Sequence, residues 1–288
     1  MPGNRERSPS IARCRRSVVP KGNSSSPPVD ASTSASQQRP EALWPRRQRN
    51  AIIATDLFFP RNADLPTLRR YADFINARRN QILANLGQGS IEAYVYLLRR
   101  FDVCDVSQDE PFQRRFRTFY GLNGAGLGPE FKAEFFNTLQ ALKGTESVDL
   151  RALAFQFFAI HTARGRNTLQ FSFVSKLAHT INASYPIYDD RIAKAFAFSR
   201  PAADNSFNRR LDSFMAFYGR LREAYAQILA EGLLNPALTD FRTKFPEQVP
   251  FLPEIKIVDF IFWSTGTLIR DGMFPNVPNQ VFDLTPND

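Results

Sequence analysis

Residues 168–198 read TLQFSFVSKLAHTINASYPIYDDRIAKAFAF. Phe173, Val174, Leu177 and Ile181 recur at the spacing of one helical face, which predicts a helix over 168–183. Tyr185-Pro186-Ile187-Tyr188 cannot continue it, because a proline lacks the amide donor and pushes the preceding residue toward extended backbone. Asp189 then stands where an N-cap belongs, and a second helical run follows over 189–198. The unit is helix, short extended link, helix.

The same period governs the flanking sequence. Residues 64–86 carry Leu65, Leu68, Tyr71, Phe74, Ile75, Ile82 and Leu86 on one face, which predicts one helix. SIEAYVYLLRRFDV (90–103) opens on Ser90 as a cap, PFQRRFRTFYGL (111–122) is short, and FKAEFFNTLQALKG (131–144) closes on Gly144. Further helices are expected over 148–165, over 205–234 with a stop before Pro236, and over 256–269. No run alternates with strand period. The expected fold is all-α, with eight or nine helices in one domain over 51–288. Residues 51–145 and 146–288 are candidate lobes on either side of a cleft. The 27 phenylalanines suit short helices crossing at steep angles, where large rings fill the gaps.

Residues 1–50 are rich in Ser, Pro and Arg and carry almost no apolar period, so they are expected to be a disordered basic tail. They hold ten of the 37 Lys and Arg but only three of the 28 Asp and Glu. The net +9 is therefore mostly theirs, and the rest of the chain is close to neutral. Two cysteines, Cys14 and Cys104, cannot frame a disulfide scaffold or a metal cluster. His161 and His179 are too few for a metal site without several carboxylates. Asp102 and Asp105 would raise the Cys104 thiol pKa, which argues against a nucleophile there. No segment is long and apolar enough to span a membrane, and no secretory signal opens the chain, so a cytoplasmic location is expected. GLNGAGLG (121–128) follows a helix rather than a strand and lacks the lysine of a phosphate loop, so it reads as a connection.

Three features can carry chemistry. Arg164-Gly165-Arg166 sits between two expected helices and reads as a plain connector or an anion-binding turn. Lys176 lies in a largely apolar helix, either snorkelling at its rim or partly buried with its amine pKa lowered. Asp189 follows 13 residues later as a helix cap or as that amine's partner.

SFVSKLAHTINASYPIYDDRI (172–192), with IKIVDFIFWSTG (255–266) in the closing helix, resembles the helix-hairpin-helix base-excision DNA glycosylases, and among them the bacterial 8-oxoguanine DNA glycosylase-like proteins. The resemblance implies that Lys176 attacks the sugar C1′ and that Asp189 stabilises the charge developing there. It also implies a duplex DNA partner, a flipped damaged base, and no cofactor or metal. Phosphate would be gripped near Ser172, Arg164, Arg166 and Arg191. The chain departs from the family at the hairpin glycines, where Ser172 and Val174 stand, and at Arg191, where many members have histidine. Its lysine-to-aspartate interval is also shorter. The missing glycines and near-neutral domain fit the alternative, a non-catalytic helical module that binds nucleic acid or protein.

Overall fold

The computed structural model describes residues 65–124 and 126–279, all within one unit that runs Leu57–Asp288. The basic tail read from residues 1–50 lies outside the described residues. Among those described, every regular element is helical, with eleven α-helices in chain order: α1 Leu65–Ala77, α2 Arg79–Ala84, α3 Gln88–Val103, α4 Glu110–Tyr120, α5 Pro129–Ala141, α6 Leu150–Phe158, α7 Phe171–Ile181, α8 Asp190–Ala195, α9 Phe207–Ala230, α10 Asn235–Lys244 and α11 Glu254–Arg270.

The extra helices arise where the apolar period runs across a break or stops too early. The run 64–86 divides at Arg78, whose guanidinium lies 4.0 Å from the Phe74 ring, and α2 turns to follow α10 through Arg79–Asp240 at 2.7 Å. Pro236 does not end a long helix; it sits in the first turn of α10, where its missing amide costs nothing. Gly232, with φ +61°, makes the turn that separates α9 from α10. α3 starts earlier than expected, with Gly87 as N-cap, so Ser90 lies inside the helix rather than capping it. α6 stops at Phe158 instead of reaching 165, because the Asn167 side-chain amide bonds the Phe158 carbonyl at 2.9 Å and the chain turns at Gly165.

The core is built around α11. Ile257, Val258, Phe260, Ile261, Phe262 and Thr265 are all buried, so this helix has scarcely any outer face. Its most extensive helix–helix contact is with α8. The approach is close because residue 266 is glycine: a Cβ there would lie 1.9 Å from the Arg191 carbonyl oxygen. Phenylalanine and tyrosine rings fill the remaining volume, such as Phe196 at 4.6 Å from Phe262 and Phe198 at 4.1 Å from Phe217. No described helix is long and apolar enough to cross a membrane.

Candidate functional site

Each residue of the Tyr185–Tyr188 link between α7 and α8 is held by a buried side chain, from α7 itself, from α9 or from α11. The Tyr185 carbonyl accepts from His179 Nδ1 at 2.7 Å, and the Pro186 carbonyl accepts from the Tyr218 hydroxyl at 2.7 Å. The Ile187 amide faces the Asp259 carboxylate. Ser175 Oγ accepts from the Tyr188 amide at 3.0 Å and lies 3.2 Å from the Tyr188 carbonyl. Ser175 precedes Lys176 and Tyr188 precedes Asp189, so this hydrogen bond stitches together the backbones that carry the two candidate groups.

Asp189 is the N-cap of α8, as the sequence predicts. Its Oδ1 accepts from the Arg191 and Ile192 amides at 2.9 and 3.0 Å. Lys176 is not a rim residue: it is 7% exposed, and its Nζ donates to the Tyr120 carbonyl at 3.1 Å. The Phe173 and Tyr120 rings lie 4.9 and 5.8 Å from the amine. Burial lowers the amine to about 8; Asp189 opposes that shift through space, while Lys256 and Arg191 add to it. About half of the amine is therefore neutral near pH 8.

Lys256 and Asp259 on α11 complete the polar cluster. They are 2% and 3% exposed, and they pair at 2.6 Å. Burial pushes the Asp259 carboxyl up, against the pull of the Lys256 ammonium. Asp259 Oδ1 is buried and has no partner at hydrogen-bonding geometry, although the Tyr225 hydroxyl lies beside the carboxylate. Lys256 also rests 4.8 Å from the ring of Tyr94, whose hydroxyl bonds His179 Nε2 at 2.9 Å. Burial drives His179 down to about 3, so the ring is neutral, with Nδ1 protonated toward Tyr185. Both its nitrogens are engaged, which leaves no thiol–imidazole pairing with Cys104.

The remaining predicted residues fall into two places. Arg191 is half-buried beside Asp189, with its guanidinium 5.4 Å from the Trp263 ring and its Nε buried without a partner. Ser172 is half-buried in the first turn of α7. Arg164 and Arg166 are exposed in the turn between α6 and α7. Lys256 and Asp259 were not expected in the site from the sequence. The available signal was a lysine and an aspartate three apart in the otherwise apolar IKIVDFIFW, a spacing that puts both on one helical face. A groove of about 470 Å³, bounded by Glu134, Asn137, Thr138, Asp149 and Gln156, lies against α5 and α6 and includes none of these residues.

The buried lysine has a stability cost with a defined pH dependence. Its amine is easier to deprotonate in the folded state than in the unfolded chain, so folding carries the full penalty below about pH 8. That penalty is on the order of 3 kcal/mol and is lost as pH rises from 8 toward the ordinary lysine value. Lys176→Met should therefore gain stability relative to wild type at pH 7, less the Tyr120 hydrogen bond. The difference between the two proteins should shrink on the order of 3 kcal/mol by about pH 10.5, as read by urea denaturation across pH. A difference that does not change with pH would place the amine in solvent.

Neither a family model, nor a curated protein, nor a solved structure matches the chain.

Proposed function

We propose that this chain is a glycosylase-like DNA-binding protein in which Lys176 and Asp189 carry base excision and strand cleavage. One observation supports this reading above the others: a buried lysine, at a cost in stability, whose neighbour Ser175 is tied to Tyr188, the residue before a carboxylate that is fixed at a helix N-terminus and acts on the amine through space without an ion pair. Perturbed ionisable groups held against such a penalty cluster at sites that use them.

The chemistry is consistent with the geometry. Breaking the N-glycosidic bond leaves an oxocarbenium-like sugar, which an oriented carboxylate stabilises. Asp189 is oriented by two backbone amides. The neutral Lys176 amine can then form a bond to C1′ as the base departs, and sugar-ring opening gives a Schiff base. The amine must first leave the Tyr120 carbonyl. Arg191, Ser172 and the Arg164–Arg166 turn supply phosphate contacts in this reading, and 8-oxoguanine is the first lesion to test.

Burial itself favours a second reading. A lysine bonded to the last residue of α4 joins α7 to α4, as it would in a non-catalytic helical module. Borohydride trapping on duplexes carrying 8-oxoguanine, uracil or an abasic site separates the two. The catalytic reading expects a covalent adduct that disappears in Lys176→Gln.

A further inference from the structure

On the outer face of α6, Arg151, Phe155 and Phe158 follow one another at i, i+4 and i+7, so they form one row. That row meets the start of α9. The Phe207 ring lies 4.1 Å from Phe158 and 4.8 Å from Phe155, and Arg151 pairs with Asp212 at 2.7 Å. Phe155 is 47% exposed, one of the few large apolar side chains among the described residues left open to water, while Phe158 and Phe207 are half-buried. Arg210 follows Phe207 by three positions, on the same helical face, and its Nε is buried without a partner.

The Arg164-Gly165-Arg166 turn folds back onto this place. Thr162 closes it by donating its amide to the Arg166 carbonyl at 2.9 Å, and Gly165 takes φ +68°, a backbone angle that favours glycine. Asn167 then ties the turn to the Phe158 carbonyl at 2.9 Å. The turn that carries the two exposed arginines is thus tied to the backbone at Phe158, the last residue of the row. Asp204 lies in the loop before α9 and Asp212 within that helix, and Asp212 is taken by Arg151.

We infer that Phe155, Phe158 and Phe207, flanked by Arg164, Arg166 and Arg210, form a stacking platform for single-stranded nucleic acid. Ring faces accept unpaired bases of any sequence, and adjacent guanidinium groups follow the phosphates. An aliphatic protein surface would not need the cations, and an acidic peptide would not need the rings. The inference rests on the nucleic-acid reading of the Arg164–Arg166 turn, but it needs no catalysis at Lys176.

Binding of a fluorescent oligothymidylate of about 12 nucleotides, read by anisotropy, tests it. The titration is done in the Lys176→Gln background, so that a failed platform and a failed chemical site give separate results. Phe155→Leu keeps apolar area but removes the π face, and it should weaken binding about 10-fold, while Phe155→Trp should retain it. Arg166→Ala should lower the slope of log affinity against log salt by about one. Three results would overturn the platform: no binding, equal affinity in Phe155→Leu and wild type, or competition by polyglutamate as effective as by unlabelled oligothymidylate.

Discussion

Gly266→Ala should lower the melting temperature by about 6–12 °C, the equivalent of about 3 kcal/mol for a domain of this size. In an open helix the same change gains up to about 1 kcal/mol, because alanine is the better helix former. At 266 the new methyl would sit 1.9 Å from the Arg191 carbonyl oxygen. That oxygen is backbone, so it cannot rotate away, and α8 must part from α11. The overpacking penalty exceeds the propensity gain. Gly89, in α3, serves as the control, because a Cβ added there would meet nothing within 4 Å. Gly89→Ala should hold or raise the melting temperature. Because Arg191 is two residues past Asp189, Gly266→Ala should also disturb the cap that orients the candidate carboxylate. Equal melting temperatures for Gly266→Ala and wild type would show that α8 and α11 do not approach so closely.

Breaking the Lys256–Asp259 pair should cost about 3–5 kcal/mol in either single variant, Lys256→Met or Asp259→Leu. Each leaves one buried group without its partner, in a helix with scarcely any exposed face. Replacing both, as Lys256→Met with Asp259→Leu, should recover most of that loss, because a well-packed apolar pair is often as stable as a buried ionic one. Urea denaturation of the four proteins gives the coupling energy directly. Additive losses would mean that the two groups act independently. The double variant removes the carboxylate that faces the Ile187 amide, so recovered stability with a lost Lys176 function would assign the pair to positioning the α7–α8 link.

Much of this was legible in the sequence, and the failures have physical causes. The helical class, the cap at Asp189 and the turn at Gly165 follow from local rules that act within a few residues. The break at Arg78 was not legible, because Ala77-Arg78-Arg79 contains no breaker and the division depends on α10, about 160 positions away. Pro236 reads as a stop, although a proline is equally at home in a first helical turn. Lys176 was legible as an odd residue in an apolar helix, but not its depth of burial, because the Tyr120 carbonyl that receives it arrives from α4. The pairing of Lys256 with Asp259 shows in the spacing alone. Its place beside His179, Tyr94 and the link does not, since α11 reaches that position only in the assembled core.

The most direct measurement is borohydride reduction of the protein mixed with a duplex bearing an abasic site, resolved on a denaturing gel. The sugar aldehyde is already free in that substrate, so the reaction asks only whether the Lys176 amine can reach C1′ and form a Schiff base. A catalytic Lys176 predicts a covalent protein–DNA band in wild type, stronger as pH rises through about 8 and absent in Lys176→Gln. No band at any pH, or a band of equal strength in Lys176→Gln, would contradict it.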